Sequence, residues 1–79
     1  MINVSVVRLA ELGFVVKYRV IQGQPHCSRC CFHNKEANDN KRINRCLIGN
    51  GHCSTVYQHT KLKDYHEIKA ILEIAGAHI

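Results

Sequence analysis

All five cysteines of this 79-residue chain fall between positions 27 and 53. A chain so short struggles to bury enough apolar surface to stay folded, so a dense cysteine cluster points to staples, either disulfides or a metal ion. The order is Cys27-Ser28-Arg29-Cys30, then Cys31, then Cys46 and Cys53. A pair separated by two residues, followed at a distance by a second pair, is the spacing of a structural metal site more than of a disulfide framework. The odd count favours metal too, since disulfides alone would leave one thiol over.

Zinc takes four tetrahedral ligands in a structural role, and thiolate is its preferred soft partner. Cys27 and Cys30 can form a knuckle whose turning backbone aims N–H groups at the sulfurs. Cys46 and Cys53 would supply the other pair, with Gly49 and Gly51 letting their loop close around the ion. The expected set is therefore Cys27, Cys30, Cys46 and Cys53 around one Zn²⁺. Cys31 is the expected spare, packed as a small apolar group beside Phe32. Cys31, His52 and His33 remain rivals for a place in the set, and His26 is a further substitute. His52 adjoins Cys53 and would give three cysteines and one histidine. An iron–sulfur cluster also needs four thiolates, but the short polar loops favour zinc. A redox Cys-x-x-Cys would need a helix starting at its first cysteine to depress the pKa, and no helical pattern follows Cys30.

The rest of the chain reads as one small domain over 1–79. Apolar residues make up 46% and tryptophan is absent, so the core must be mostly Val, Ile and Leu. Residues 2–9 and 14–21 are rich in β-branched types and read as two strands. Residues 10–13, ending in Gly13, would join them as a hairpin. Phe14, Val16, Tyr18 and Val20 would then share one face of the second strand. A competing reading has Ser5 capping a short helix over 6–12, with Gly13 just past its end. Residues 22–25 break the strand, and 34–45 form a polar, irregular loop. Residues 54–59 form a candidate third strand, with Val56 and Tyr57 as its inward side chains. Tyr65, Ile68, Ile71, Leu72 and Ala75 recur at helical spacing. Asp64 and Glu67 have the separation of a capping box and Gly76 is a natural stop, so a helix is expected over 64–75. The expected fold class is α+β: an N-terminal β-hairpin (1–25), cysteine-rich metal loops (26–53), then a return strand and an amphipathic helix (54–79).

The net charge is +5 with histidines neutral: +2 over residues 1–26, +3 over 27–53 and zero over 54–79. Four thiolates around one Zn²⁺ lower the total to +3. Such a modest excess implies weak attraction to nucleic acid or to an acidic surface. Arg29, Lys35, Lys41, Arg42 and Arg45 are the residues that would meet phosphates, although no aromatic residues are interleaved with them. No basic segment precedes the first apolar residues, and Arg8 and Glu11 interrupt them. No uncharged apolar run approaches the roughly 20 residues of a membrane span. The expected compartment is the cytoplasm, where thiols stay reduced. No Ser-His-Asp set or His-Glu-x-x-His motif is present, and four cysteine ligands leave zinc no open position, so no enzyme activity is expected. His59, His66 and His78 are scattered and expected to face solvent.

At Cys27-Ser28-Arg29-Cys30-Cys31-Phe32, followed by Cys46 and Cys53, the chain resembles a broad group of small cysteine-rich proteins common in bacteriophage and prophage genomes. The resemblance spans residues 18–59, from an incoming strand at 18–22 to a return strand at 55–59. It implies a zinc-stabilised, non-enzymatic phage accessory protein, acting in the host cell cytoplasm. Its partner would be a host protein or protein complex. The alternative is a zinc-finger-like nucleic-acid binder.

Overall fold

The computed structural model of the chain describes residues 2–20, 27–36, 45–49 and 54–76. The fold class is α+β, with a two-stranded antiparallel sheet and a C-terminal helix.

The N-terminal segment is not the first arm of a hairpin. A short helix, α1 (Val6–Glu11), forms instead, and Ser5 caps it by accepting the Arg8 N–H at 3.1 Å. The cap satisfies a donor that the first turn of any helix leaves open. The turn after α1 needs Gly13, whose φ is +96°, a conformation costly to residues with a Cβ. Leu9 is the one residue that α1 buries. The β-like character of the N-terminus survives only at Ile2. Its N–H donates to Leu47 O at 2.8 Å and its carbonyl accepts Gly49 N–H at 2.9 Å, in an isolated parallel bridge.

The strand that follows, β1 (Phe14–Arg19), pairs with β2 (Thr55–His59). Phe14 faces His59 and Arg19 faces Thr55 in the register, with an irregularity between Val16 and Tyr18. Lys17 sits in that irregularity. Phe14 is buried and Tyr18 half-buried, but Val16 is 45% exposed, so the expected alternation does not hold at Val16. Val56 and Tyr57 of β2 are both buried. The expected strand at 14–21 ends at Arg19 here, Val20 N–H still reaches Ser54 O at 2.7 Å, and residue 21 lies outside the described residues.

The 35 residues between these strands, 20–54, carry every cysteine. They supply core as well: Phe32, Leu47 and Ile48 are buried. Phe32 lies at the centre, with ring centroids 4.8 Å from Phe14 and 5.2 Å from Tyr57.

The final helix, α2 (Tyr65–Gly76), matches its expectation closely. Asp64 Oδ1 accepts the His66 N–H at 2.8 Å and the Glu67 N–H at 3.3 Å, which makes Asp64 the cap. Tyr65, Ile68, Leu72 and Ala75 are buried, and Ile71 packs against the core from its edge. Gly76 is the last helical residue and not a stop beyond it. A Cβ there would lie 2.6 Å from Ile2 Cγ2, so its smallness admits the N-terminal segment.

Candidate metal centre

The 3-10 turn at Cys27–Arg29 leads directly into Cys30. From Cys30 the backbone turns again, the His33 N–H donating to Cys30 O at 3.1 Å. Residues 32–34 then run antiparallel to 45–47: Asn34 N–H donates to Arg45 O and Leu47 N–H to Phe32 O, each at 2.8 Å. His33 and Cys46 are the pair enclosed between those bonds. Such a non-hydrogen-bonded pair brings its side chains close on one face, while Phe32 and Leu47 turn to the other. That other face is the core.

Cys30 Sγ accepts the Tyr57 N–H from β2 at 3.3 Å. It also receives the Cys31 thiol and the Phe32 N–H. The Cys31 hydrogen bond is the largest cause holding the Cys30 thiol down at about 6, against an ordinary 9, and it prevails over burial, which acts the other way. Cys31 is pushed strongly upward, first by donating that bond, then by burial and by the charges of Cys30 and Cys46. Neither Cys30 nor Cys31 is in a disulfide. Cys30 is thus held toward the thiolate, chiefly by the Cys31 S–H and then by two backbone N–H groups, and Cys31 is held as a thiol.

The expected ligands divide accordingly. Cys30 and Cys46 lie on the same loop structure, Cys46 beside His33 and near enough to act on Cys31. The backbone of Cys27 lies in the 3-10 turn. Cys53, His52 and His26 lie outside the described residues. Among the described residues, no three His, Cys, Asp or Glu side chains converge as a metal-holding group. His33 Nδ1 is buried and makes no hydrogen bond. A buried imidazole nitrogen calls for a partner, and a cation would serve as one. Cys31 packs at the edge of the core, as do Cys30 and Cys46.

A cleft of about 320 Å³ opens over this loop structure. Cys30, Cys31 and His33 line it with Tyr57, Tyr65 and Leu62, and four cations surround them: Lys17, Arg29, Lys35 and Lys63. Arg29 and Lys35 belong to the basic set expected from the sequence. Arg45 is exposed and does not line the cleft, while Lys41 and Arg42 lie outside the described residues. Lys17 and Lys63 carry no sequence signal for such a role. They meet the others only because β1 pairs with β2 and α2 starts beside them. His59 is also not the solvent-facing residue expected, being half-buried with both ring nitrogens engaged.

Comparison with protein-family models, with curated proteins and with solved structures gives no match. No helix among the described residues is long and apolar enough to cross a membrane.

Proposed function

We propose that this chain is a small, non-enzymatic zinc-binding protein of the phage accessory type it resembles, and that it acts in the host cytoplasm by docking on a host protein or complex. The observation that carries the docking reading is a set of exposed valines on two adjoining elements. Val6 and Val7 of α1 are 54% and 70% exposed, Val15 and Val16 of β1 are 39% and 45% exposed, and α1 packs against β1. Apolar surface left open on neighbouring elements is what a protein partner covers. The zinc part is supported by the thiolate character of Cys30 and by the buried, unpartnered Nδ1 of His33. Cys27, Cys30, Cys46 and Cys53 would hold the ion, with His33, His52 and Cys31 as the rivals, and the ion's role would be to hold the loops closed. Nucleic-acid binding is the second reading, favoured by the placement of Arg29 and Lys35 on one cleft.

Two measurements test this. Elemental analysis of the purified protein should give one zinc per chain, and chelation should abolish its cooperative melt. A metal-stripped chain that melts unchanged removes the zinc reading. Val7→Asp with Val16→Asp should abolish retention of a host partner that the wild-type protein retains. Equal retention by the double variant removes this docking surface.

A further inference from the structure

We propose that the cleft over the cysteine loops is a binding site for a small phosphorylated molecule. Four cations reach it from four different segments: Lys17 from β1, Arg29 from the 3-10 turn, Lys35 from the chain beyond His33, and Lys63 from the approach to α2. Among the described residues, no Asp or Glu lines it, and the Cys30 thiolate sets one negative charge against the four cations. The acids that form ion pairs are committed elsewhere, Glu11 to Arg8, and Glu36 and Glu73 to Lys69. Asp64 Oδ1 is occupied by the helix N–H groups it caps. Four like charges around one concavity repel one another, and within a Debye length of about 8 Å salt only partly relieves this. An anion seated among them reverses the sign of that interaction.

The shape of the charge distribution narrows the class of anion. The cations line one cleft from separate segments of the chain and do not form a row along one element. An extended phosphate backbone asks for a row, whereas a compact, multiply charged group asks for convergence. Arg29 offers a planar fork for two oxygens, and the lysines offer point charges. The volume lies at the lower end of ligand cavities, roughly 300–1,000 Å³, enough for a phosphate and a modest organic group. Leu62, Ile68 and the rings of Tyr57 and Tyr65 provide apolar wall for that organic part. The proposal does not depend on the valine surface and shares with the metal reading only Cys30, Cys31 and His33.

The test is a titration of the protein as isolated, in chloride buffer, with inorganic phosphate and with phenyl phosphate, followed by amide NMR. Saturable one-site shifts are expected at Lys17, Arg29, Gln58 and Lys63, with phenyl phosphate binding the tighter. Lys17→Gln with Lys63→Gln should weaken both by about tenfold or more while leaving distant amides unmoved. If that double variant misfolds, Lys63→Gln alone should still weaken binding severalfold. Shifts that never saturate, or affinity unchanged in a folded variant, overturn the proposal. So does phosphate binding that disappears on chelation from a chain still folded, since the anion would then sit on the metal. A single-stranded oligonucleotide that binds the wild-type chain more tightly than phenyl phosphate does, and the double variant more weakly, would assign these cations to nucleic acid instead.

Discussion

His59 Nε2 lies 2.9 Å from the carbonyl oxygen of Leu12, while Nδ1 of the same ring accepts the backbone N–H groups of Lys61 at 2.9 Å and Leu62 at 2.8 Å. Two N–H donors on Nδ1 leave the ring proton on Nε2, where it donates to Leu12. One side chain thereby ties the end of β2 to the end of α1 and shapes the turn toward α2. Its ring also meets Phe14 edge-on, with centroids 4.7 Å apart. Replacement by alanine removes three hydrogen bonds and an aromatic contact. His59→Ala should cost about 2–4 kcal/mol, read as a lowered midpoint in urea. A loss below about 0.5 kcal/mol would refute this role.

Gly13 stands directly beneath that ring. A Cβ there would lie 3.0 Å from His59 Nε2 and 3.2 Å from Thr60 Oγ1, and φ is +96°. Gly13→Ala should therefore destabilise by about 1–2 kcal/mol or more. Combined with His59→Ala, the two costs should add to less than their sum, because removing the ring relieves part of the crowding. Strict additivity in a double-mutant cycle would show that backbone strain alone is responsible.

The two neighbouring thiols should respond differently to serine. Cys30→Ser should unfold the domain and lose zinc, since structural zinc affinity is folding free energy. Cys31→Ser keeps a donor beside Cys30 and should keep both fold and metal. The check is zinc stoichiometry with circular dichroism on each variant. The reverse pattern would place Cys31, not Cys30, in the ligand set.

The Cys30 thiol also makes stability depend on pH. Its pKa falls from about 9 unfolded to about 6 folded, so between these values the unfolded chain holds a proton that the folded chain has released. Stability from this group is full above pH 9 and is lost as pH falls toward 6. Cys31, shifted upward, acts in the opposite sense only above pH 9. The urea midpoint should fall as pH is lowered across that window, and should do so less in Cys30→Ala if that variant folds. A midpoint independent of pH between 6 and 9 would contradict a thiolate at this sulfur, whether zinc or hydrogen bonds hold it.

On α2, Leu72 is fully buried and Ile74 is 66% exposed. Leu72→Ala should cost about 2–5 kcal/mol and Ile74→Ala under about 0.5 kcal/mol, measured by thermal melts. Similar costs for the two would mean that the helix packs on another face.

The parts of this fold legible in the sequence are those decided locally. The α2 stripe and its Asp64 cap are contained within a few turns of chain, and both stand as expected. The α1 helix was only partly legible: Ser5 and Gly13 marked its ends, but the alternating apolar residues argued more strongly for a strand. Pairing settled the matter, because the partner of β1 is β2 and not the segment before it. No local pattern encodes a register set across the whole cysteine region, nor the irregularity at Lys17. At the candidate site, spacing marks Cys30 as a candidate ligand. The Tyr57 N–H on its sulfur and the convergence of Lys17 with Lys63 arise only once β2 has docked.

The separation of β1 from β2 has a consequence for biosynthesis. A ribosome releases the first strand long before its mate, and closing so wide a loop is slow. Until the return segment emerges, the nascent polypeptide carries a sticky, unsatisfied edge, which exposes it to capture by chaperones or to self-association. Closure of the sheet therefore waits until Thr55–His59 has left the exit tunnel.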